Sequence, residues 1–114
     1  MDKIFRNRLE ACGVDVEQGI DAHMGNEDMY ERILRLVLSD SKFDMLFNMA
    51  VADSPEDIFD ITHALKGTLG NVGLNELSDI ITDICETTRK GSMDGVRVNI
   101  DKARDIYNKV MAVM

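Results

Sequence analysis

Apolar residues recur at spacings of three and four along almost the whole chain, the period of a helix with one buried face, and nowhere alternate as a half-buried strand does. Turn and capping residues divide that pattern into six predicted helices. Ile4, Phe5, Leu9 and Cys12 form the first, closed by Gly13; Asp15 with Gln18 resembles a capping box opening a short second helix that ends near Gly25. Asn26, followed by Glu27 and Asp28, caps a long third helix. Its stripe is Tyr30, Ile33, Leu34, Val37, Met45, Met49 and Ala52, loosened around Ser39 to Ser41. The run "DSPED" gives the sharpest start signal: Ser54 caps, Pro55 takes the first helical position, acids fill the first turn, and a fourth helix runs to Gly73. Leu74, Leu77, Ile80, Ile81, Ile84 and Cys85 mark a fifth helix ending at "RKG". Val96, Ile100, Ala103, Tyr107, Val110 and Met114 mark a sixth.

Short connections between amphipathic helices favour antiparallel neighbours. The expected fold is therefore all-α: an antiparallel up-and-down four-helix bundle of the longer helices, with additional short N-terminal helices covering an end or side. With no linker or repeat, residues 1–114 read as a single domain, long enough to hold a core without disulfide or metal.

Projected at about 100° per residue, the fourth helix turns Ile58, Ile61, Leu65, Leu69 and Val72 inward and His63 outward. Phe59, Lys66, Gly67 and Gly70 share the outward face. Two glycines inside a helix cost about 2 kcal/mol together relative to alanine. The same two leave bare backbone beside the imidazole, and with the exposed Phe59 they make a surface that a bulky partner can approach. A neutral imidazole is a competent nucleophile at neutral pH. A phosphoryl group placed on it brings close to two negative charges, and an ammonium three residues along the helix lies within reach of them. Lys66 occupies that position. The sequence holds no glycine-rich nucleotide loop, so activating machinery would come from elsewhere.

Charge narrows the partner. The net charge of -8 and the lack of a basic face argue against nucleic acid. No apolar run is long enough to span a membrane, and the charge-broken "MDKIFRNRLE" does not read as a secretory signal. Cys12 and Cys85 lack metal-ligand or redox spacing and read as free thiols, which points to a cytoplasmic protein.

The segment "HALKGTLGNVG" resembles the signature of histidine-containing phosphotransfer domains of bacterial multistep phosphorelays: H-x-L-K-G, then a glycine ending the helix ten residues after the histidine. "GVDVEQGIDAHMGNEDMYERILRLVLSD" is similar to the segment that precedes the site helix in that family, and "GLNELSDIITDICETTRKG" to the helix that follows it. The resemblance implies a phosphocarrier without kinase activity of its own. His63 would accept a phosphoryl group from a receiver-domain aspartate, through Nε2, and pass it to another. Lys66 would stabilise the phosphohistidine, and Gly67, with Phe59 and Gly70, would form the docking face. Partners would be receiver domains of a hybrid sensor kinase or a response regulator, the chain acting as a monomer with no cofactor and with Mg2+ residing on the receiver. Many members present a glutamine from the following helix; here the positions opposite His63 are Thr82, Asp83, Cys85 and Glu86, of which Thr82 is the candidate polar contact.

Two other functions compete. A helical adaptor would bind response-regulator receivers without accepting phosphate. A metal-dependent enzyme is the weakest reading, because Cys12 and Cys85 stand far apart with no CxxC or Cys/His ligand spacing. His23 reads instead as the end of a short helix.

Overall fold

The computed structural model describes residues 1–48 and 54–114, whose regular structure is entirely helical. The elements are α1 (Lys3–Ala11), α2 (Val16–Ala22), α3 (Glu27–Leu38), α4 (Ser41–Phe47), α5 (Pro55–Leu69), a 3-10 turn (Gly70–Val72), α6 (Asn75–Arg89) and α7 (Val96–Met111). Among the described residues no helix is long and apolar enough to cross a membrane.

Side-chain caps start three of the helices where the sequence places them, and a fourth where it gave no signal. The Asp15 carboxylate accepts from the Gln18 N–H at 3.0 Å, Asn26 from Met29 at 2.9 Å, and the Ser54 hydroxyl from Asp57 at 3.4 Å. Asp2 does the same for Ile4 at 2.7 Å. The capping box at Asp15 is only half made, because the Gln18 side chain turns away to a tertiary contact. Its amide donates to the Gly70 carbonyl at 3.2 Å and its oxygen accepts from the Asn75 amide at 2.9 Å.

The expected long third helix is broken in two. Ser39 Oγ donates to the Leu36 carbonyl at 2.8 Å, and the Asp40 carboxylate accepts from the Lys42 N–H at 2.9 Å. These local bonds compete with the helical ladder, ending α3 and capping α4. The new helix starts on a different face: Phe43 and Leu46 are buried while Met45 stands 51 % exposed, so Met45 is not a core residue. Met49 and Ala52 lie outside the described residues. Ile4 of the first predicted stripe is also exposed, leaving Leu9 as the buried residue of α1.

The interior is shared by all segments. Ile58, Ile61, Leu65 and Leu69 of α5 pack with Leu77, Ile81 and Ile84 of α6 and with Val96, Ile100, Ala103 and Val110 of α7. α5 packs along α6, α6 along α7, and α4 touches both α5 and α7. Tyr107 donates to the Leu38 carbonyl at 2.7 Å and Arg104 to the Phe47 carbonyl, tying the ends of α3 and α4 to α7.

The corner after α5 is clamped by α2 and α3. Asp15 donates its N–H to the Gly73 carbonyl at 2.9 Å. Gly73 is left-handed at φ 77°, and a Cβ there would collide with the Asp15 carbonyl, so the close approach of the two segments requires glycine. The fully buried Tyr30 donates its hydroxyl to the Val72 carbonyl at 2.8 Å, and its ring fills the space that a side chain at Gly19 would need. Burial pushes the Tyr30 phenol up to about 12, with the Asp15 carboxylate adding to the shift.

Candidate functional site

His63 lies mid-way along α5, a helix begun by the Ser54 cap and Pro55 and held to the core by its aliphatic stripe. The residue before it, Thr62, is fully buried and satisfies its hydroxyl on the Ile58 carbonyl at 2.8 Å. A rotation of about 100° then carries His63 into solvent, where it is exposed.

The imidazole has an aromatic floor. The half-buried Phe59, one turn earlier, stacks on it with centroids 5.3 Å apart and planes 24° from parallel. The Arg89 guanidinium, from the end of α6, also lies over the Phe59 ring, 5.3 Å from its centroid. One turn after His63, Lys66 is half-buried and its Nζ stands 3.6 Å from Glu86 Oε1 of α6. Arg89 reaches the same carboxylate oxygen at 3.3 Å. Two cations thus share one carboxylate oxygen, one of them a helical turn from His63 on the same helix.

The reach of these side chains has a geometric cause. Helical side chains lean toward the helix N-terminus. The contacts of Lys66 with Glu86 and of Phe59 with Arg89 show that α5 and α6 run antiparallel, so Lys66 leans back toward His63 while Glu86 leans toward the corner. Backbone register alone places position 83 opposite His63 and favours Thr82, which is half-buried. On the exposed side of the pair, Glu86 and Arg89 of α6 reach Lys66 and the Phe59 ring of the site helix. Cys85, another residue in that window, is fully buried and faces the core.

The glycines divide. Gly67 lies within α5, exposed, with nothing outside its own helical backbone and chain neighbours within 4 Å of where a Cβ would stand. Gly70 is not inside the α-helix as expected; it caps α5 and opens the 3-10 turn, because Gly73 and its clamp on Asp15 tighten the last turn. Its Cα is equally open, although its carbonyl is taken by Gln18. The helical cost of bare backbone therefore falls on Gly67 alone, about 1 kcal/mol.

His23 sits at the C-terminal cap of α2 with Nδ1 2.7 Å from the Gly19 carbonyl, remote in sequence and element from His63. Among the described residues no three His, Cys, Asp or Glu side chains converge as a metal-ligand group. An open, largely acidic concavity lined by Arg6, Glu17, Ile20, Asp21 and Glu27 lies among the N-terminal helices.

Comparisons with family models, with curated proteins and with solved structures gave no match to the chain.

Proposed function

We propose that the chain is a phosphorelay intermediate of the histidine-containing phosphotransfer type, in which His63 carries the phosphoryl group between receiver-domain aspartates. The observation that supports it most is the exposed imidazole of His63, stacked on Phe59 and flanked by Lys66 on one side and by the open backbone of Gly67 beyond it. The sequence resemblance supplies the rest of the reading. It extends to the arrangement of helices: α3 with α4 as one interrupted arm, and α5, α6 and α7 as the others of a four-helix bundle. The contacts of α4 with both α5 and α7, and of α6 with its two neighbours, fit that closure.

In the transfer, the neutral imidazole attacks phosphorus with the Nε2 lone pair. A P–N bond forms as the bond from phosphorus to the aspartyl oxygen breaks, and the electron pair leaves with the carboxylate. The ring proton remains on Nδ1. Delivery to a second aspartate reverses these events. Lys66, one turn along the helix, supplies an ammonium to offset the added charge, and Phe59 stacks on the imidazole and limits its rotation. Phe59, Gly67 and Gly70 supply the docking face, Thr82 remains the candidate uncharged contact from α6, and the divalent cation of the exchange belongs to the receiver.

The test is incubation with a phosphorylated receiver domain followed by acid treatment. Transfer of acid-labile label to the wild-type chain and none to His63→Gln is expected. A helical adaptor would bind the receiver equally well in both forms and take no label.

A further inference from the structure

We propose that Glu86 is a positioning residue that holds the Lys66 ammonium in the unloaded protein and releases it when His63 is phosphorylated. This rests on the relay reading above and adds to it a residue that the motif does not contain.

One carboxylate oxygen of Glu86 receives two cations, Lys66 at 3.6 Å and Arg89 at 3.3 Å. Arg89 is anchored independently, by its position over the Phe59 ring and by its i,i+3 spacing from Glu86 on the same helix. Glu86 therefore keeps a partner if Lys66 leaves. A phosphoryl group on His63 brings close to two negative charges to a point one helical turn from Lys66, and a dianion outcompetes a monoanion for a mobile ammonium. Lys66 turns to the phosphoryl oxygens, and Glu86 stays on Arg89. No bond is made or broken in the switch beyond the transfer already described.

The pairing has a use in the unloaded state. It fixes a flexible four-carbon side chain near His63, and it masks the ammonium so that stray anions gain less from that surface. It also costs the loaded state part of the stabilisation that a free Lys66 would give. Removing the carboxylate should therefore lengthen the life of the phosphohistidine.

The experiment loads the full chain with potassium phosphoramidate, which needs no receiver, and follows the phosphohistidine by 31P NMR, with His63→Gln to identify the signal. Glu86→Gln should lengthen the half-life about two- to fivefold, the range of an exposed ion pair. Glu86→Asp should fall between the two. Lys66→Ala should shorten the half-life, and Glu86→Gln added to Lys66→Ala should change it no further. The Lys66 15Nζ signal should move on loading in the wild type. An unchanged half-life in Glu86→Gln overturns the proposal, and so does lengthening that persists in the Lys66→Ala background, since that would be direct repulsion of the phosphoryl by Glu86. Either result leaves the relay standing if a receiver still passes label to His63. Absence of any His63 phosphoryl signal would remove both.

Discussion

Phe59 stacks on the His63 ring at 5.3 Å while supporting the Arg89 guanidinium at the same distance from its own centroid. One aromatic side chain thereby packs against the His63 imidazole and ties α5 to the end of α6. Phe59→Ala should leave the fold in place, because the ring is only half-buried, yet slow phosphoryl uptake about tenfold through a wandering imidazole. Phe59→Tyr should restore most of the rate. Stopped transfer assays on both variants, beside their circular dichroism, check this.

Gly67 separates access from folding. Outside its own helical backbone and chain neighbours nothing stands within 4 Å of its absent Cβ, so Gly67→Gln has room within the free protein and gains helix propensity. The melting temperature should rise by about 2–5 °C. Transfer from a receiver should fall sharply, since the new side chain occupies the approach to His63, while loading by phosphoramidate should persist.

Gly73 and Gly70 should behave in opposite ways although they are three residues apart. Gly73→Ala forces a left-handed residue into the Asp15 carbonyl and should cost at least ~2 kcal/mol. Gly70→Ala, right-handed and open, should stay within ~0.5 kcal/mol of the wild type. Urea unfolding of the two variants measures the contrast.

Tyr30 gives the fold a dependence on alkaline pH. Its folded pKa, about 12, lies above the ordinary phenol value of 10.0, so below that ordinary value the neutral phenol is present in both states and contributes no slope. Between those values the unfolded chain loses its proton first, and stability should fall by about 1.4 kcal/mol per pH unit. Tyr30→Phe leaves the Val72 carbonyl without this donor and should cost ~1–2 kcal/mol at neutral pH. It also removes that alkaline slope, so denaturation curves of the two proteins should converge as pH rises.

Much of the site helix was legible in the sequence because a single regular element, begun by Ser54 and Pro55, fixes which residues share a face. The buried stripe from Ile58 to Val72 and the outward turn of His63 both follow from that period. The break between α3 and α4 was visible only as a loosening at Ser39 to Ser41, since whether serine and aspartate interrupt a helix depends on which backbone groups they capture. The 3-10 turn at Gly70 was not readable either, because it is imposed by the distant clamp of Asp15 on Gly73. Glu86 appeared among the candidates but not as the partner of Lys66, and Arg89 was seen only as a helix-end cation. Contacts between helices depend on how long side chains lean and reach, which register alone does not encode.

The most direct measurement is 31P NMR of the chain after exposure to a phosphorylated receiver domain. The account predicts one P–N resonance, lost in acid and absent from His63→Gln. A resonance of an acid-stable phosphoester, or one unchanged in His63→Gln, would contradict it.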